Sequence, residues 1–192
     1  MTRCRLLCTC SYSDHIALLK AYDGYQSAGY GRSQYAYRNF LSENTLRLMA
    51  DMREQFRDLL SNAGFLHDSH SSNRHAGNIP LVKAVLCAGL FPNVVSVVSG
   101  KRKAKFRTRE DGQVDAHPGS VNAWVGMFPG QWMVYSEKVK STAIYIRDSS
   151  LVTDLALLLF GGTLDLQPPS GGGATCVIRM LNGWANFNTT VR

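Results

Sequence analysis

The chain has 192 residues, 45% hydrophobic and 18% charged, a globular composition that excludes a wholly disordered chain. Lys and Arg number 21 against 14 Asp and Glu, and the resulting net charge of +7 favours an anionic partner, most simply nucleic acid. The length accommodates one or two small domains but not the two nucleotide-binding lobes of a complete ATP-driven motor.

No run of about 18 apolar residues occurs, so no membrane span is expected. The apolar part of the N-terminal stretch MTRCRLLCTCSYSD is too short and broken for a secretory signal, and it reads as a ragged chain start. The cysteines, Cys4, Cys8, Cys10, Cys87 and Cys176, are odd in number and unevenly spaced, which argues against a secreted disulfide framework and for a reducing compartment; the expected location is intracellular, cytoplasmic and/or nuclear. Cys4, Cys8 and Cys10 lack a CxxC pair and a nearby fourth ligand, so no metal site is expected.

Residues 13–63 read as helical. Ser13 is an N-cap candidate, Gly24 and Gly29 interrupt the first helix, and 24–31 is a connection. A second helix starts after Ser42, carries an apolar stripe of Leu46, Met49, Phe56, Leu59, Leu60 and Ala63, and ends at Gly64. Residues 67–78, with His67, His70 and His75, read as a solvated polar loop, because a metal site needs a rigid frame. A short helix is expected over 81–88, ended by Gly89 and Pro92. After Pro92 the pattern turns to strands: 94–98, 103–108, 113–116 after the turn Glu110-Asp111-Gly112, 132–135, 143–147, 176–180 and 184–187, with a short apolar helix at 154–159 among them. The segment 167–173, QPPSGGG, is a loop.

Helices first and strands second give an α+β chain: an unmatched segment at 1–12, a helical part over 13–92, and over 93–192 a small barrel like the oligonucleotide/oligosaccharide-binding (OB) fold. Most of the excess positive charge falls in the strand part, and six basic residues lie in 101–109, KRKAKFRTR. As a strand, this segment puts Lys103, Lys105, Arg107 and Arg109 on one face and Phe106 in the barrel. Four cations on one face invite phosphate; the alternative is a solvated edge strand. Lys138 and Lys140, and then Tyr145 and Arg147, form a second cluster of cations with an aromatic ring, which suits single-stranded nucleic acid if Tyr145 is not simply barrel wall. His117 and Ser120 lack the nucleophile elbow of a hydrolase, and no phosphate-binding loop with its lysine occurs, so no catalytic residue is expected.

Several stretches together resemble one family. SDHIALLKAY at 13–22, RNFLS at 38–42 and MREQF at 52–56 are similar to the ratchet-like helical domain of DEAH-box and RNA helicase A-type helicases. KAVLCAGLFPNV at 83–94, TREDGQV at 108–114, HP at 117–118, SVN at 120–122, VYSEKVK at 134–140, IRDS at 146–149 and ALLLFGG at 156–162 are similar to the junction and core of the family's OB-type domain. The resemblance covers roughly residues 13–187 and is nearest the branch with the G-quadruplex-resolving and plant-type members. It implies a partial ratchet domain followed by an OB-like barrel, a C-terminal accessory module that binds single-stranded RNA and lines the RNA channel. ATP and Mg²⁺ belong to the family's motor lobes, so this chain needs no cofactor and hydrolyses no ATP alone. RNA-side residues implied in the barrel are Lys105, Arg107, Lys138, Lys140, Tyr145 and Arg147, with His117 and Ser120 on the adjoining turn. Arg38, Asn39 and Arg53 fall in matching helical motifs, where Asn39 and Arg53 equally serve as structural links between helix ends. Implied partners are RNA, the motor lobes and a glycine-rich activator protein. The alternative is a protein-docking module for the activator or the lobes, with RNA contact incidental.

Overall fold

The computed structural model describes residues 11–66, 69–167, 175–180 and 185–190. Cys4, Cys8, Cys10, His67, Trp184 and all of the 167–173 loop but Gln167 lie outside them. The chain forms two compact units, one holding residues 15–78 and the other joining 12–14 to 79 onward.

The first unit is helical: α1 (Asp14–Ser27), one 3-10 turn (Gly29–Gly31), α2 (Arg32–Arg38), α3 (Glu43–Asn62) and α4 (Ser69–Ser72). Gly24 does not interrupt α1, as expected from sequence, but lies within it. It is the site of a close approach, since a Cβ there would stand 2.1 Å from the Tyr35 hydroxyl oxygen. Tyr22, Tyr25, Ala36 and Leu46 form the core, with Tyr35, Leu41 and Met49 packed against it. Ser42 caps α3 as expected, its Oγ accepting from the Thr45 N–H at 3.3 Å. At the other end Gly64 takes φ 78°, and the N–H groups of Gly64 and Phe65 donate to the carbonyls of Ser61 (3.0 Å) and Leu60 (2.9 Å), the paired bonds of a Schellman ending. The apolar stripe of α3 is buried only at its start: Leu46 is 5% exposed, Phe56 57% and Leu59 62%. The expected loop after residue 67 contains the single turn α4.

The second unit opens with α5 (Ile79–Leu90), longer at both ends than the expected helix. Pro80 fits its first turn, where a missing N–H costs nothing, and Gly89 is carried inside the last. Cys87 of α5 is buried among Val94, Trp132, Val134, Val152 and Leu157. This packing sets the division of compact units between Asn78 and Ile79, upstream of the expected boundary at 92 and 93.

Five strands then close a barrel in the order β1 (Val94–Val98), β2 (Lys105–Thr108), β3 (Gly112–Ala116), β5 (Ile144–Val152) and β4 (Trp132–Lys140), with β4 returning to β1. Every pairing is antiparallel except β3 with β5. Val95, Val97, Phe106, Val114, Met133, Tyr135, Ile146 and Leu151 fill the interior. The outward Val94, Trp132, Val134 and Val152 are covered by α5 and by α6 (Asp154–Phe160), whose cap Thr153 accepts from the Ala156 N–H at 3.2 Å. The strands after α6 do not extend the barrel, as the sequence pattern had them. β6 (Leu164–Gln167), unforeseen, pairs with β7 (Thr175–Met180) and β7 with β8 (Ala185–Thr190) in a separate antiparallel sheet. Met180, Ala185 and Phe187 bury themselves in the cluster around Trp132.

Candidate nucleic-acid interface

Strand alternation builds the site. In β2, Phe106 and Thr108 are buried while Lys105 and Arg107 are exposed, so both cations point outward. Arg107 stands opposite Gln113 on β3, and Asp115, two residues on, stands beside Tyr145 of β5. Lys105, Arg107, Gln113, Asp115 and Tyr145 therefore share the outward face of neighbouring strands. His117, just past β3, donates its backbone N–H to the Ile146 carbonyl at 2.9 Å, and its ring meets Tyr145 edge-on at 6.2 Å between centroids. Arg147 is exposed on the same face, opposite Glu137 and 3.4 Å from its carboxylate. Lys103 and Arg109 do not join the strand. Lys103 precedes β2 and bonds Asp115 at 2.8 Å, and Arg109 sits in the turn.

Lys138 and Lys140 lie on the other side of the β4–β5 ribbon. Their cross-strand partners are Ile146, wholly buried, and Ile144, packed against the barrel interior, whereas Tyr145 and Arg147 stand opposite Val139 and Glu137. The register alone sets this: it runs unchanged from Trp132 opposite Val152 to Lys140 opposite Ile144, across Asp148 with its left-handed φ of 51°. The expected single basic face is thus two faces. Lys138 also meets carboxylates, Asp111 at 2.6 Å and Glu110 at 3.4 Å. Its hydrogen bond to Asp111 raises the ammonium above its ordinary pKa, and the same bond holds the Asp111 carboxyl below the usual range. Lys105, Arg107 and Lys140 make no ion pair among the described residues.

Ser120 is occupied by the fold. Its hydroxyl donates to Asp14 Oδ2 at 2.6 Å, and the same oxygen accepts from the Ser149 N–H at 2.8 Å. Asp14 Oδ1 accepts from the Val121 N–H at 2.7 Å. The amide of Asn122 donates to Ser149 Oγ at 2.9 Å, and Ser13 Oγ bonds Ser150 Oγ at 2.5 Å. This buried network fixes the turn that carries His117, whose Nδ1 accepts from the Gly119 N–H at 3.1 Å. In the sequence Asp14 stands only as the second residue of the SDHIALLKAY stretch. No local signal links it to residues more than a hundred positions away.

In the helical unit, Asn39 donates its side-chain N–H to the Tyr35 carbonyl at 2.8 Å and closes the end of α2. Arg53 rests over the buried Tyr22 ring, 5.8 Å from its centroid. Arg38 is exposed in the last turn of α2. The structural alternative for Asn39 and Arg53 therefore has specific contacts behind it.

Residues 82–164 match the family of oligonucleotide/oligosaccharide-binding (OB)-fold domains. Over 94% of its length the chain is 49% identical to the DExH-box ATP-dependent RNA helicase DExH1 of Arabidopsis thaliana, and over 92% it is 40% identical to DExH3 of the same plant. The human ATP-dependent DNA/RNA helicase DHX36 is 36% identical over 81% of the chain. The chain spans only 18%, 14% and 17% of these three relatives.

Proposed function

We propose that the chain, whose residues 82–164 match the OB-fold family and which is similar to DExH-box ATP-dependent RNA helicases, is a C-terminal accessory module of such a helicase, binding single-stranded RNA along its channel. The observation that carries this is the convergence of Lys105, Arg107, Arg147, Tyr145 and His117 on one outward barrel face. The cations hold phosphates, and the Tyr145 ring offers a surface to one base. Such a grip reads backbone rather than sequence and is strongly salt-dependent. ATP and Mg²⁺ act in other parts of the helicase, and the motor lobes and a glycine-rich activator are its protein partners, in the cytoplasm or nucleus.

The test is binding of an oligouridylate, followed by fluorescence anisotropy across a salt series. Lys105→Ala with Arg107→Ala should reduce the slope of log affinity against log salt by roughly 1.4, two single-strand phosphate contacts. Lys138→Ala with Lys140→Ala should reduce it less, because Lys138 is already neutralised by Asp111. An unchanged slope in the first variant would sink the assignment of that face.

A second reading, a docking module for protein, draws on α6, which leaves Leu155 64% and Leu159 67% exposed. Capture of the activator at high salt without RNA, lost in Leu155→Asp with Leu159→Asp, would favour it.

A further inference from the structure

Trp124 is 68% exposed, although the residues before it, Asn122 and Ala123, are 0% and 2% exposed. An indole on the surface forgoes the burial that usually stabilises a tryptophan, so its backbone setting decides whether it is a loose end or a fixed platform. The backbone here is held. The N–H groups of Ala123 and Val125 donate to the carbonyls of Ser120 (3.2 Å) and Asn122 (3.3 Å). The same loop is laced to the connection between β1 and β2. The Ala104 N–H donates to the Val125 carbonyl at 3.0 Å, the Gly100 N–H to the Gly126 carbonyl at 2.8 Å, and the Phe128 N–H to Ser99 Oγ at 3.1 Å. The two loops approach too closely for side chains at the crossing: a Cβ on Gly126 would lie 2.8 Å from the Gly100 carbonyl oxygen.

The loop laced to residues 125–128, just past Trp124, carries Lys101 and Arg102, both exposed and in no ion pair among the described residues. Lys103 beside them is already committed to Asp115 at 2.8 Å. An exposed ring on a held backbone, with two uncommitted cations on the loop laced to it, is the combination that binds an unpaired nucleotide, the ring stacking on the base and the cations meeting its phosphates. Little ordering entropy opposes binding, since the loop is fixed beforehand. We infer that Trp124, with Lys101 and Arg102, forms a base-stacking site for single-stranded nucleic acid, separate from the outward face of Lys105, Arg107 and Tyr145. Bases in a duplex are stacked on one another and do not present a face to Trp124, so the site selects unpaired nucleotides.

The inference rests on the reading of the barrel as a nucleic-acid binder, and the experiment separates the two. The 192-residue chain is titrated with a labelled oligouridylate of about ten nucleotides, within the length an OB fold covers, and with the same backbone lacking bases. Trp124→Ala should weaken binding of the oligouridylate roughly 5- to 150-fold, the loss of one stacked base. Trp124→Phe should restore most of it, and binding of the abasic strand should be the same in all three proteins. Equal binding of the oligouridylate by parent and Trp124→Ala, or equal losses on both strands, would overturn the stacking site. In that case a loss in Lys105→Ala with Arg107→Ala leaves the outward face standing. Absence of binding by the parent chain removes both.

Discussion

The Lys138 ammonium lies 2.6 Å from a carboxylate oxygen of Asp111, fastening the far end of β4 to the turn between β2 and β3. That oxygen also accepts from the Thr108 hydroxyl at 3.2 Å, so the turn is braced from two sides. A phosphate seeking Lys138 must displace an anion already in place, whereas Lys105 and Arg107 meet it without competition. The pair therefore shapes both the binding surface and the fold's response to pH.

Asp111 has a depressed pKa, so its contribution to stability is present above 3.8, the ordinary value, and is lost as pH falls through the lowered one. Lys138 has a raised pKa; its contribution is present below 10.5 and is lost as pH rises beyond that. Asp111→Asn should lower the thermal midpoint by a constant amount between about pH 5 and pH 9, and the gap to the parent should close in stronger acid. Melting curves across that range check it, and a gap that persists undiminished at about pH 2 contradicts the linkage.

Asp14 is 6% exposed and accepts from two backbone N–H groups and from hydroxyls. Asp14→Ala strands the half-buried Val121 N–H and the buried Ser149 N–H, at a cost of roughly 2–5 kcal/mol. Asp14→Asn keeps one acceptor oxygen and should cost about 1–2 kcal/mol. Urea unfolding measures both; equal stability of Asp14→Ala and parent would show that the network carries no net stabilisation.

Cys87 is wholly buried, and burial pushes its thiol from 9.0 up to about 11. Its native thiolate is scarce, so iodoacetamide at about pH 8 should label it only after unfolding. The unfolded chain loses this proton first, so stability should fall as pH rises from 9.0 toward 11. Cys87→Ala should flatten that part of the pH profile, apart from its own packing cost. Rapid labelling of the native chain would mean that the α5 face opens readily.

The order of elements was readable because helix caps, apolar periodicity and turn residues are local. Ser42, Gly64 and the alternation about Phe106 each state their role within a few residues. Gly24 misled for a spatial reason, since its missing side chain serves Tyr35, which lies on another helix. Within the candidate site, the outward direction of Lys105 and Arg107 was legible from period two. The separation of Lys138 and Lys140 from Tyr145 and Arg147 was not, because it depends on the register of β4 against β5, which pairs Lys138 with Ile146 and Glu137 with Arg147.

By itself the sequence determined the α+β order, the basic strand segment and the family resemblance, all of which are written in neighbouring residues and their spacing. Only the tertiary structure decided which cations are free and which are committed. It also decided that Ser120 answers to Asp14, and that the loop after Trp124 is laced to the loop carrying Lys101 and Arg102. These depend on strand register and loop crossings, which bring together residues far apart in the chain. Burial and hydrogen-bond satisfaction act on the folded neighbourhood, and no stretch of sequence carries that neighbourhood alone.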